Sequence, residues 1–232
     1  MPKAGGFTHV GKVRKINEDA FCVKDGFAIV SDGMGGHNKG EIASNMAISK
    51  MSDIISGGFE FSEDFIIKAI AETNSYIASE SEKSAEYSGM GATLVCAMWQ
   101  ENEVIIANVG DSRGYLLSKG NISQITKDHS LVQTLVDSGK ITKEQAKASE
   151  QKNIIYRAIG YTGADPDIFR FNVENGDTVI LCSDGLTNMI EDNDILSLSE
   201  NEKNPAKLAE KLANLANDKG GTDNITAVAV IF

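Results

Sequence analysis

Two apolar runs in this chain end on the same three residues, Ser-Asp-Gly: "AIVSDGMGG" at 28–36 and "VILCSDGLT" at 179–187. An apolar, β-branched run bounded by Asp-Gly reads as a strand meeting a turn. Taken singly, such an ending needs no further explanation. The device recurs, however: Gly110-Asp111 follows "EVIIANV", and Asp223-Asn224 precedes "ITAVAVIF". Near the N-terminus "RKINEDA" adds Arg14, Glu18 and Asp19. A fold that buries these strands together must also place the carboxylates at their ends. Gathered at one rim, they would repel one another severely unless something neutralised them.

The rest of the pattern says how the strands are packed. Residues 5–32 read as three strands, with Asp25-Gly26 as a tight turn before the last. From Gly40 the period becomes helical: Ile42, Ala43, Met46, Ala47, Met51, Ile54 and Ile55 recur until "SGG" at 56–58. A second helix starts near Ser62, with Phe65, Ala69, Ile70, Thr73 and Ile77 on one face. Strands return at 91–99, 103–109 and 114–118. Residues 127–153 are polar and mostly helical, with Thr142 and Gln145 spaced as a capping box and Gly139 ending the helix before them. Strands at 168–173 and 178–182 precede a helix near 192–199. The last helix takes Asn204 as N-cap, Pro205 at its first position and Leu208, Leu212 and Leu215 as its buried stripe. The closing "ITAVAVIF" is apolar on both faces and so belongs inside a sheet. Strands and helices come in blocks, without regular β-α-β alternation, which excludes a doubly wound sheet. The expected class is α+β: two antiparallel sheets packed together, with helix pairs outside, in one domain over 1–232.

Composition narrows the partners. A net charge of −11 opposes binding to nucleic acid or to anionic membrane surfaces. The three cysteines, Cys22, Cys96 and Cys182, lie in apolar runs without metal-site spacing and read as reduced core thiols. None has an arginine six positions on, so a Cys-x5-Arg phosphate loop is excluded. No signal-peptide core or membrane-length apolar run stands out, and the expected location is cytoplasmic.

Hard divalent cations suit an all-oxygen acidic rim, because Mg²⁺ and Mn²⁺ prefer oxygen ligands and keep several waters. Three scattered histidines, His9, His37 and His129, are too few for a histidine-rich centre. Asp32 and Asp184 can enter one cluster from different strands, and Gly33 leaves its carbonyl free to join. Two such cations sharing a water would lower its pKa and clamp a phosphoryl oxygen. Arg14 is the candidate for a bidentate clamp on phosphate.

The motifs "THVGKVRKINEDAF", "VSDGMGGHNKGEIAS", "GATLV", "ANVGDSRGYLL", "TKDHSLVQTLVDSGKIT", "YRAIG", "GDTVILCSDGLTNMI" and "GGTDNITAVAV" stand in this order along the chain. In this the chain resembles the metal-dependent serine/threonine protein phosphatases of the PPM, or type 2C, class, and its bacterial branch in particular. The resemblance implies a four-layer α-β-β-α sandwich with a flap insertion at about 127–153. It implies two tightly held Mn²⁺ or Mg²⁺ ions: Asp32 bridging both, the Gly33 carbonyl on one, Asp184 and Asp223 on the other, and Glu18 and Asp19 acting through waters. It further implies a weaker third ion at Asp111, phosphate binding by Arg14, Asn224 steadying the shell, and a place near the site for His37, either as proton donor or not. The implied partners are phosphoproteins and a cognate serine/threonine kinase. One departure is "SEQK" at 149–152, where many bacterial members carry a His-Pro-x-Arg-like segment.

Other classes fit less well. A metal-dependent nuclease would want a basic groove. A zinc or iron phosphoesterase would want more histidines. The Asp-x-Asp-x-Thr/Val signature of dehalogenase-like phosphatases fails at its last position in both "DPDIF" and "DNDIL", whose aspartates read as turn or cap residues. A pseudophosphatase that only binds phosphoproteins would be expected to lack a core acid, yet Asp32, Asp184 and Asp223 are all present.

Overall fold

The computed structural model describes residues 1–35 and 39–232. Its strands are β1 (Lys3–His9), β2 (Asp19–Lys24), β3 (Phe27–Met34), β4 (Gly91–Ala92), β5 (Leu94–Gln100), β6 (Glu103–Val109), β7 (Arg113–Ser118), β8 (Asn121–Gln124), β9 (Asp167–Asn172), β10 (Thr178–Cys182) and β11 (Ile225–Ile231). Its helices are α1 (Lys39–Gly57), α2 (Glu63–Lys83), α3 (Leu131–Asp137), α4 (Lys143–Lys147), α5 (Asp184–Thr187), α6 (Asp192–Asn201) and α7 (Pro205–Asp218). One sheet runs β1-β11-β10-β7-β8. The other runs β2-β3-β5-β6-β9, with β4 on β3. Every pairing is antiparallel.

Period-2 alternation divides each strand between two apolar layers. In β3, Phe27 and Ile29 face α1 and α2, while Ala28 and Val30 face the opposite sheet. In β10, Ile180 and Cys182 pack beneath α6 and α7, while Val179 and Leu181 meet the other sheet. The result is the four-layer α-β-β-α sandwich the sequence led us to expect. The interior strand β11 is buried through Val230, as a run apolar on both faces should be.

Local signals act where they were read. Asp25-Gly26 turns β2 into β3 with Gly26 at φ +86°. The Thr142–Gln145 capping box forms, and Asn204 caps α7 ahead of Pro205. The structure also corrects several expectations. Leu215 is only partly buried, and the stripe of α7 closes on Ala209, Ala213 and Ala216 beside Leu208 and Leu212, because small residues let the helix lie close to the sheet. Cys22 is half-buried, its Sγ 3.7 Å from Ser52 Oγ, whereas Cys96 and Cys182 are enclosed. β8 is a polar edge strand, and α5 is a single turn; neither carries a periodic apolar signal. Among the described residues, no helix is long and apolar enough to cross a membrane.

Candidate metal centre

β3 does not stop at Asp32 but runs on through Met34. Asp32 is in phase with Ala28 and Val30, so its side chain lies on the face turned towards the other sheet, at the open end of the seam. Asp19 is its direct cross-strand partner in β2. Like charges placed opposite one another destabilise a sheet unless a cation sits between them. From the facing sheet come Asp184, at the first position of α5, and Asp223, just before β11. Burial holds the Asp32 carboxyl well above the ordinary carboxylate range, and the charges of Asp19, Asp184, Asp111 and Asp223 add to the effect. Burial likewise raises Asp184, with Asp223 the next cause, and raises Asp111, with Asp184 next. These carboxyls from separate strands and turns therefore meet at one rim.

Asp19 is the most enclosed of them. Burial pushes its carboxyl up to about 7 against the hydrogen bonds that favour its charge. Oδ2 accepts from Ser183 Oγ and Thr226 Oγ1, each at 2.7 Å. Oδ1 is buried without a partner among the described residues. An unpartnered buried carboxylate oxygen is costly, and a cation or its bound water would supply a partner.

A second pair of oxygens meets at Gly40, the buried residue near the start of α1. A Cβ there would stand 2.5 Å from Glu18 Oε1 and 2.7 Å from the Gly33 carbonyl oxygen, so both oxygens line the space that a side chain would fill. Gly33 itself is required by packing, because a Cβ would overlap the Gly40 carbonyl. Among the described residues, no three acidic, histidine or cysteine side chains close into a ready-made cage. A hard cation that keeps part of its water shell would need fewer protein ligands than such a cage supplies. The donor set is all oxygen, and it fits Mn²⁺ or Mg²⁺.

Arg14 lies on the exposed side of this rim. Its Nη2 donates to Asp223 Oδ2 at 2.8 Å, and Nη1 is 3.7 Å from Glu18 Oε2. The loop that carries it is pinned by Asn224, whose Nδ2 donates to the carbonyls of Val10 and Ile16 and whose Oδ1 accepts from the Glu18 main chain. Asn224 thus holds the loop through its backbone. His37 falls outside the described residues.

Sequence reasoning passed over the hydroxyls beneath the rim. The Asp32 main-chain N–H donates to Thr93 Oγ1 at 2.9 Å, and Thr93 Oγ1 lies 2.7 Å from Ser112 Oγ, next to Asp111. A buried hydroxyl pair therefore ties the Asp32 strand to the Asp111 turn. Ser183 and Thr226 do the same for Asp19, and Asn188 Nδ2 donates to Asp184 Oδ2 at 3.0 Å. Each hydroxyl lies within or beside a motif quoted above, but nothing in its type marks it as more than a small polar residue. Beyond Asp111 and Asp184 a cleft of about 830 Å³ extends to Lys143, Lys147 and Lys152 of the insertion. Lys147 pairs with Glu191, and Lys152 Nζ is 3.4 Å from Asn188 Oδ1.

A four-layer sandwich with a carboxylate rim at the seam is the architecture of the PPM class of phosphatases. Residues 11–226 match the family model for protein phosphatase 2C, and the chain belongs to that family as a serine/threonine phosphatase. It is 41% identical over 236 residues to the serine/threonine phosphatase stp of Listeria monocytogenes serotype 4b, covering 96% of this chain and 93% of that protein. The Mycobacterium tuberculosis serine/threonine phosphatase PstP/Ppp superposes with a TM-score of 0.90 at 34% identity, over 100% of this chain and 98% of that one. A structure of the PstP catalytic domain in complex with two manganese ions superposes at 0.91 and 35% identity, covering 99% of this chain and 97% of that one.

Proposed function

We propose that the chain hydrolyses phosphoserine and phosphothreonine on proteins at a binuclear Mn²⁺ or Mg²⁺ centre, with a weaker third ion beside it. The observation that carries this reading is the meeting of Asp19, Asp32, Asp111, Asp184 and Asp223 at one end of the seam, with Asp19 Oδ1 buried and unpartnered among the described residues. The manganese in the PstP relative supports the choice of ion. Asp32, the Gly33 carbonyl, Asp184 and Asp223 would hold the two tight ions, Glu18 and Asp19 would act through bound waters, and Asp111 with Asp184 would hold the third ion. When bound, the ions supply a water of lowered pKa and the positive charge that a phosphoryl group needs as it transfers.

Arg14 turns its guanidinium to the substrate phosphate. Its hold on Asp223 fixes that orientation in advance, so little side-chain freedom remains to be lost when phosphate arrives. Asn224 keeps the Arg14 loop against the rim while peptide is bound. Ser183 and Thr226 keep Asp19 from turning away, and Thr93 keeps Asp32 in register. The insertion at 127–153 forms a flap on a single catalytic domain over 1–232 and lines the cleft where the peptide beyond the phosphoresidue would run. We place the enzyme in the cytoplasm, opposite a bacterial serine/threonine kinase of eukaryotic type.

The test is hydrolysis of p-nitrophenyl phosphate and of a phosphothreonine peptide, with Mn²⁺ and then with EDTA. Turnover with the metal and its loss in chelator are expected. Full activity in chelator would remove the metal from the mechanism.

A further inference from the structure

His129 stands outside the carboxylate rim and is only 2% exposed. Its Nδ1 accepts from the main-chain N–H of Gly110 at 3.1 Å. Its own main-chain N–H donates to the Gly110 carbonyl at 2.9 Å. One residue therefore holds both polar groups of the peptide position immediately before Asp111. Gly110 has φ +108°, a conformation reached because glycine has no Cβ, and glycine is also free to leave it. Asn108 Nδ2 reaches only the carbonyl, at 3.2 Å. The direction in which the chain delivers Asp111 to the rim thus depends on His129.

The other side of the ring faces Asp167 at the start of β9. Because Nδ1 accepts, the ring proton sits on Nε2, 3.2 Å from Asp167 Oδ2, and Arg157 Nη1 donates to the other oxygen of that carboxylate at 2.8 Å. The His129 carbonyl accepts from Tyr156 N–H at 2.9 Å, and Ser130 bridges Ile155. His129 therefore stands where the flap leaves the body and where it returns.

We propose that His129 is a positioning residue: from the root of the flap it fixes the Gly110 peptide and so sets the place of the Asp111 carboxylate at the metal rim. The inference rests on Asp111 being a ligand of the weakly held third ion. A buried histidine satisfied by its neighbours would stabilise the fold equally well without it. The two roles separate in substitutions that keep one ring nitrogen and drop the other. Asparagine places an acceptor near Nδ1, and glutamine places a donor near Nε2.

His129→Asn, His129→Gln, Asp111→Ala and the His129→Gln/Asp111→Ala double variant are compared by steady-state kinetics on a phosphothreonine peptide, calorimetric Mn²⁺ titration and thermal melting. His129→Gln is expected to lower kcat about tenfold or more, in the range found when an outer partner of a metal ligand is lost, with KM nearly unchanged. It should also lose a weak Mn²⁺ binding event while the tight ones persist. His129→Asn should retain that event and a kcat within about threefold of the parent, although both variants melt at similar temperatures. The double variant should be no worse than Asp111→Ala alone, since the histidine acts through that residue. If His129→Gln titrates and turns over like the parent while Asp111→Ala is impaired, the positioning role is overturned and the third ion stands. If Asp111→Ala is itself silent, the third-ion reading falls and the positioning role with it. If the asparagine and glutamine variants lose activity equally, or the double variant multiplies the two losses, His129 serves the fold alone.

Discussion

At the seam between the sheets, Asp19 and Asp32 stand on paired strands, and the groups beneath them are themselves buried: Ser183, Thr226 and Thr93. In the flap, α4 buries no residue and α3 buries only Val132. The Asp19 carboxylate is held by two buried hydrogen bonds, worth about 1.5–3 kcal/mol each where the acceptor is charged, and the Asp32 main chain by a third, to Thr93. Beyond its buried root at Asp128 and His129, the flap meets the body through exposed contacts such as Lys147–Glu191, where one pair contributes about 0–1 kcal/mol. The difference teaches where each task is placed. Phosphoryl chemistry needs charges fixed in advance, so its residues stand on sheet ends that cannot shift without breaking a core. Choosing among peptides, the task we propose for the flap, needs a surface that can change without unfolding the protein, and helices with so little buried area would suit it.

The contrast breaks first if the rim proves dispensable. Asp32→Asn or Asp184→Asn should lower kcat/KM on a phosphopeptide at least about 10²-fold, or roughly 2.7 kcal/mol of transition-state stabilisation, with the circular dichroism spectrum kept. Variants within twofold of the parent would reduce both residues to turn formers.

One layer below, Ser183→Ala removes the 2.7 Å bond to Asp19 and the acceptor for the Thr226 main chain. It is expected to weaken Mn²⁺ binding about 10-fold and to lower stability by about 1.5–3 kcal/mol. Calorimetric titration and urea melting read the two effects. Unchanged metal affinity would mean that the hydroxyl serves only the fold.

The flap sharpens the comparison from the other side. Lys147→Ala should shift the melting temperature by no more than about 2 °C, as suits loss of one exposed pair. It should leave kcat on p-nitrophenyl phosphate unchanged and move KM for a phosphopeptide by a few-fold at most. A large fall in kcat on the small substrate would show that the flap is part of the chemical machinery.

The smallest effect on turnover belongs to the cysteines. Burial pushes the Cys182 thiol up to about 12, far from a nucleophile's range at neutral pH. Cys182→Ala should cost about 1 kcal/mol through lost packing and leave kcat within twofold. Trapping of a phosphocysteine would contradict this.

Much of the fold was legible because its signals are local. Phe27 to Val30 alternate between two apolar layers, and that alternation already requires a sheet covered on both faces. Asn204-Pro205 and Thr142-x-x-Gln145 fix helix starts through bonds made within one turn. β8 was not legible, since an edge strand of Asn, Ile, Ser and Gln has no second face to bury. α5 was not legible either, because a single turn carries no period. At the rim, the acids announced themselves by recurring beside glycine or asparagine at the ends of apolar runs. The hydroxyls of Thr93, Ser112, Ser183 and Thr226 did not, because serine and threonine are common in strands for other reasons.

By itself the sequence determined the strand and helix periods, the caps and turns, an excess of carboxylates at strand ends, and, through its motifs, the family. Only the tertiary structure decided that Asp19 and Asp32 stand directly opposite each other, that Asp19 keeps one oxygen without a partner among the described residues, and that Gly110 is gripped by His129. The reason is the reach of the interactions. Periodicity and capping act over a few residues and are written in neighbouring letters. Register, burial and the sharing of a proton donor join residues such as Asp19 and Thr226, far apart along the chain, and exist only once the two sheets have closed on each other.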